Sequence, residues 1–135
     1  MPITVNPQTK ITILPPDFVS VLNVLLKDTS LDASEIIALN FRDPTYSAEN
    51  GGYHPVEIHV DYKGNILCIT DFSFAGKPPF VELGIELDWS FEHDQFRQFD
   101  SMHDLECGRG LLGLYLANFT AYYESGVYQV EVTIL

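Results

Sequence analysis

The chain has 135 residues, 46% of them hydrophobic, with 19 acidic against 7 basic side chains and a formal net charge of −12. That length supports one domain, residues 1–135, with one real core, and that apolar content excludes a disordered coil. The charge argues against a nucleic-acid backbone, where each phosphate contact wants a cation, and points to high solubility or a cationic partner.

The N-terminus, MPITVNPQTK, has no basic stretch leading into an apolar run, so no signal peptide is expected. No apolar run approaches the roughly 20 residues that cross a bilayer, so no membrane partner is expected either. The only cysteines, Cys68 and Cys107, lack CxxC spacing. Reduced thiols in a cytoplasmic protein are the expectation.

Residues 3–14 read as two short strands or one interrupted extended arm, broken at Asn6-Pro7. Residues 15–30 start a helix: prolines precede it, Asp17 favours its first turn, and positions 18, 21, 22, 25 and 26 form an apolar stripe. Residues 34–43 could open a helix at Ser34 and Glu35, but Ile37, Leu39 and Phe41 alternate and the run stops at Pro44, which favours a strand.

Residues 56–62, VEIHVDY, alternate strictly, and KGN at 63–65 makes a tight turn into ILCITDFSF at 66–74. A two-residue loop puts Val60 with Leu67 and Ile69, and His59 with Cys68 and Thr70; a three-residue loop reverses this. Residues 80–91 predict the longest strand, with Val81, Leu83, Ile85, Leu87, Trp89 and Phe91 on one face and Glu82, Glu86 and Asp88 on the other. Residues 92–106 read as an irregular connector or a short helix. A second helix is predicted over 105–125, ended by Gly126, and a final strand follows with Val130, Val132 and Ile134 inward. The fold class is therefore α+β: a twisted antiparallel sheet flanked by an N-terminal helix and a long C-terminal helix, ending in a strand.

Outward acids recur on three strands: Glu57 and Asp61, then Glu82, Glu86 and Asp88, then Glu131. On neighbouring strands they would form one carboxylate field, which calls for water, salt or a cationic partner. Glu57, His59 and Asp61, at spacing two with His54 just before them, are a conceivable metal set, although no paired signature such as HExxH accompanies them. Cys107, beside Arg109 in ECGRG, is the one thiol with an activating neighbour, and no serine or cysteine sits in a nucleophile motif.

Three runs, FRDPTYSAENGGYHPVEI, ITDFSF and NFTAYYESGVYQVEV, carry a resemblance over residues 35 to the end. They resemble a family of small uncharacterised bacterial proteins found in marine and enteric bacteria, often on mobile or pathogenicity islands. The family's fold is similar to that of the mitochondrial acidic matrix proteins, which bind the globular heads of a complement component. That likeness implies a strongly twisted antiparallel sheet with terminal helices, assembled as an acidic, ring-shaped trimer. It supplies no catalytic residues. The mitochondrial proteins finish on helices, whereas here YQVEVTIL follows the last helix.

The first of those runs is either a structural corner or a recognition loop. Gly51-Gly52 lets it turn, Arg42 and Asp43 can pair at its base, and Tyr46, Glu49, Tyr53 and His54 are its candidate binding residues. The expected function is a non-enzymatic acidic interaction protein, with no cofactor, forming a dimer or trimer and docking a basic protein or peptide. The alternative is a metal- or thiol-dependent enzyme using His54, Glu57, His59 and Asp61, or Cys107.

Overall fold

The structure is a computed structural model and describes residues 2–135. Alternating patterns drive most of the chain into one antiparallel sheet. Its strands are β1 (Ile36–Arg42), β2 (Val56–Asp61), β3 (Ile66–Ala75), β4 (Glu82–Ser90), β5 (Gln95–Gln98), β6 (Ser101–Asp104) and β7 (Gln129–Ile134). The order is β6-β5-β4-β3-β2-β1-β7, so the chain meanders from β1 to β6 and returns to the open edge of β1. Helix α1 (Pro16–Leu26) precedes the sheet; a 3-10 turn (Leu105–Gly108) and helix α2 (Arg109–Glu124) lie between β6 and β7.

Helix α1 starts on Pro16, where a missing N–H costs nothing, and buries Phe18, Val21, Leu22 and Leu26. Helix α2 buries Leu112, Leu116 and Phe119 and ends before Gly126, whose φ of +81° needs glycine's freedom. Both helices join one core with the inward sheet residues Leu39, Phe41, Ile58, Ile69 and Trp89. Phe41 meets Phe119 edge-on at 4.8 Å between ring centroids. The Trp89 Nε1–H donates to the Gly108 carbonyl at 2.9 Å. A Cβ on Gly108 would sit 2.6 Å from that nitrogen, so the turn into α2 passes the indole only as glycine.

Four local expectations are settled or changed. Residues 3–14 form the extended arm rather than two strands, joined by a lone bridge between Gln8 and Ile13, with Ile3, Val5 and Leu14 buried. The connector at 92–106 is the β5–β6 hairpin, held by buried Phe96, which stacks 5.3 Å from Trp89. Its turns use Asp94 and Phe99 at positive φ, and such turns carry no glycine signal. The β2–β3 connection pairs Val60 with Ile66 and leaves Leu67 as the odd residue of a bulge, while His59 still faces Cys68.

The fourth change matters most. Strand β4 does not keep one phase. Asp71 pairs with Leu87 and Phe72 with Ile85, leaving Glu86 as the extra residue of a β-bulge. A bulge turns two successive side chains toward one side. Glu86 therefore leaves the row of Asp88 and lines the same hollow as Leu87.

Candidate functional site

That hollow is a cleft of about 380 Å³ between the sheet's inner side, α2 and the loop before β2. Its walls include Tyr53, His54, Tyr115, Asn118, Tyr122 and Tyr128, and its acids are Asp71 and Glu86. None of its lining residues is a lysine or an arginine.

The loop reaches the cleft because Asp43 ties it back on itself. The Asp43 Oδ1 accepts from the Thr45 N–H at 2.9 Å and the Thr45 hydroxyl at 2.7 Å, and Oδ2 accepts from the Tyr53 N–H at 3.0 Å. The Thr45 hydroxyl first, then those N–H groups, hold the Asp43 carboxyl below its ordinary range. Arg42 is not its partner: the Arg42 guanidinium donates to Asn40 at 2.8 Å, a partner two residues back that shares its strand face. The chain turns at Gly51 and Gly52, with φ of +70° and +128°, and Gly52 is wedged against Asp43 and Tyr46. Tyr46 stacks on Phe74, and its hydroxyl accepts the Phe74 N–H at 3.1 Å, where β2 no longer covers the edge of β3. Tyr53 packs 4.6 Å from Tyr122 at the cleft rim. Glu49 lies exposed away from these contacts.

Asp71 is the anchor. Its side chain is 5% exposed, Oδ1 accepts from His54 Nδ1 at 2.8 Å, and Oδ2 accepts from the Tyr115 hydroxyl at 2.7 Å. Because a carboxylate only accepts, Nδ1 is the protonated ring nitrogen of His54. The bond to Asp71 raises the His54 pKa, against an opposing effect of burial, with smaller help from the charges of Asp71 and Glu86. Burial, then the Asp71 charge, pushes the Tyr115 and Tyr128 phenols well up, so both stay neutral donors. Glu86 differs: its carboxylate accepts no hydrogen bond from the described residues, although His54, Asp71 and Glu86 present ligand atoms within 4.8 Å of one another.

The other nominated acids lie elsewhere. On the outer sheet face, cross-strand register sets Glu131, Asn40, Glu57, Thr70, Asp88 and Arg97 on one line across β7, β1, β2, β3, β4 and β5. Neutral side chains separate the acids and bind them. Asn40 donates to Glu57 at 3.4 Å, His59 contacts Glu57 at 3.2 Å, and the Thr70 hydroxyl donates to Asp88 at 2.8 Å. Burial raises the Asp88 pKa, with Thr70 and Arg97 opposing it. Asp61 instead closes the β2–β3 turn, accepting from the Lys63 and Asn65 N–H groups at 2.9 Å each. Glu82 is exposed at the far end of β4, opposite Ala75. The six acids thus form a line of three, not one field.

A family described as protein of unknown function (DUF2787) matches residues 16–133. The chain belongs to that family. It is similar, at 25% identity and a TM-score of 0.82, to a hypothetical protein from the VSP-II pathogenicity island of Vibrio cholerae, covering 98% of this chain and 99% of that one. It is also similar, at 30% identity and a TM-score of 0.75, to a conserved hypothetical protein from the VPI-2 pathogenicity island of the same organism. There the coverage is 95% of this chain and 98% of the other, whose description reports structural homology with the human P32 protein. Among curated proteins the comparison finds no match.

For this member of the family, sequence reading missed Asp71, Tyr115, Asn118, Tyr122 and Tyr128. Part of the signal was present. Asp71 pairs across the sheet with Val56 and Leu87, an acid at a core-facing position that only partnering explains. Tyr115, Asn118 and Tyr122 recur at helical spacing on one face of α2.

Proposed function

We propose that the protein is a non-enzymatic binding protein that docks a basic protein or peptide, works as a homo-oligomer and resides in the cytoplasm. The observation that carries this reading is the outer line of Glu131, Glu57 and Asp88, on a chain with a formal net charge of −12. Acids two strands apart, near 10 Å, avoid direct repulsion and still project a negative potential toward a cationic surface. Such complementarity acts mainly on association rate and selectivity.

The residues nominated for an enzyme support the binding reading by failing to converge. His54 belongs to the cleft, Glu57 and His59 to the outer face, and Asp61 to a turn. Burial first, then the charge of Asp88, pushes the Cys68 thiol up to about 11, which suits an inert side chain. Arg109, the neighbour proposed to activate Cys107, pairs with Glu106 at 2.8 Å. Both cysteines are free thiols, in keeping with a reducing compartment, and no described helix is long and apolar enough to cross a membrane.

Self-association has a surface suited to it. Helix α2 carries no charge between Arg109 and Glu124, yet exposes Leu111 and Leu114. Light scattering should return a dimer or trimer mass; a lone chain at micromolar concentration removes that part of the reading. For docking, an arginine-rich peptide should bind at about 0.05 M salt and weaken steeply by about 0.5 M. No binding, or binding indifferent to salt, overturns the reading.

A further inference from the structure

We propose that the tyrosine-walled cleft is a receptor for one guanidinium group, with Glu86 as its counter-ion. This rests on the docking of a basic partner and names the side chain that such a partner inserts: an arginine.

Three observations converge on that chemistry. The first is the division of labour between the two acids. Asp71 has both oxygens engaged, by His54 and Tyr115, so it positions its neighbours and has little left to offer a ligand. Glu86 is half-buried in the same cleft, accepts no hydrogen bond from the described residues, and is held there by the β4 bulge. A carboxylate that accepts no hydrogen bond from the protein has both oxygens available to a donor pair on a ligand.

The second is the wall. Tyr53 and Tyr122 sit at the rim, 39% and 37% exposed, with Tyr128 and Phe119 behind them. Aromatic faces attract cations, and arginine, being planar and weakly hydrated, stacks on them while its fork meets a carboxylate in two parallel bonds. The third is size and sign. At about 380 Å³ the cleft falls within the roughly 300–1,000 Å³ of ligand pockets, and no lining lysine or arginine competes for Glu86.

A divalent metal bound by His54, Asp71 and Glu86 is the competing use of these groups. Ligation through His54 Nδ1 would cost that ring its hydrogen bond to Asp71, whereas a guanidinium on Glu86 leaves it intact.

The test is a titration of the whole protein, followed by NMR, with n-butylguanidinium, its neutral isostere n-butylurea, and zinc chloride alone. Saturable shifts at Glu86, Tyr122 and Tyr128 with the guanidinium and none with the urea are expected. Glu86→Gln should weaken that binding about tenfold or more, as loss of a charged hydrogen-bond partner does. Tyr122→Ala, at the rim, should weaken it severalfold, and Glu86→Gln should melt like the parent. No saturable shift, equal affinity of Glu86→Gln and parent, or zinc occupying the same residues and excluding the guanidinium overturns the proposal. An arginine-rich peptide run in parallel separates the two readings. Equal peptide binding by parent and Glu86→Gln sinks the cleft proposal and leaves docking standing. Guanidinium binding without peptide binding sinks docking and leaves the cleft.

Discussion

The outer sheet face and the inner cleft both hold carboxylates, and they treat them in opposite ways. Outside, Glu57 and Asp88 alternate with Asn40 and Thr70, which donate to them, and the line ends at Arg97. Inside, one acid is doubly bonded and the other accepts nothing from the described residues. Acidity alone therefore does not say what a carboxylate does in this protein. A potential spread over balanced groups suits steering, whereas a single carboxylate without a protein donor, walled by tyrosines, suits a fixed contact.

The largest break of this contrast is Asp71→Ala, which strips the acceptor from both His54 and Tyr115 inside the structure. We expect a loss of about 3 kcal/mol, measured by denaturant unfolding, or roughly 10 °C in Tm for a chain this size. An effect below about 1 kcal/mol would mean that the cleft network contributes little to stability. On the outer face the matching change is Thr70→Val, which keeps the shape and deletes the donor to Asp88. Asp88 is half-buried, so a cost of about 1.5 kcal/mol is expected, together with a further rise of the Asp88 pKa by NMR.

The pH dependence sharpens the contrast. His54 has its folded pKa raised above the model-peptide value of 6.5. The folded state therefore binds more protons between 6.5 and the raised value, so its stabilisation is complete below pH 6.5 and fades as pH climbs through the folded pKa. His54→Gln should flatten that slope in unfolding curves taken across neutral pH. The smallest effects belong to removal of single charges. Glu57→Gln should cost at most about 0.5 kcal/mol, because neutral neighbours already space the outer acids. Glu86→Gln should be neutral or slightly stabilising, by up to about 0.5 kcal/mol, because no protein donor is lost. A clear destabilisation by Glu86→Gln would reveal a partner and erase the difference between the two regions.

Particular elements show what could be read in advance. Residues 56–61 alternate without a break, and their burial alternates with them, because every pair β2 makes lies in one sheet with one dry face. The helix stripe at Phe18, Val21, Leu22 and Leu26 is equally direct. Residues 82–90 misled because alternation assumes unbroken register. One unpaired residue at Glu86 shifts the phase, and no single side chain announces a bulge in advance. Residues 95–104 misled for another reason: Asp94 and Phe99 turn at positive φ without glycine, which only the stacking of Phe96 on Trp89 makes worthwhile.

The amino-acid sequence by itself determined the α+β class, the order of the long elements, the inward faces of β2 and α1, and the acidic balance. These follow from local period and composition, which act along the chain. Only the tertiary structure decided which acids meet. Asp71, Glu86, His54 and Tyr115 come from two strands, a loop and a helix, and their convergence depends on cross-strand register and helix seating. Both are long-range packing outcomes, so no stretch of sequence read alone contains them.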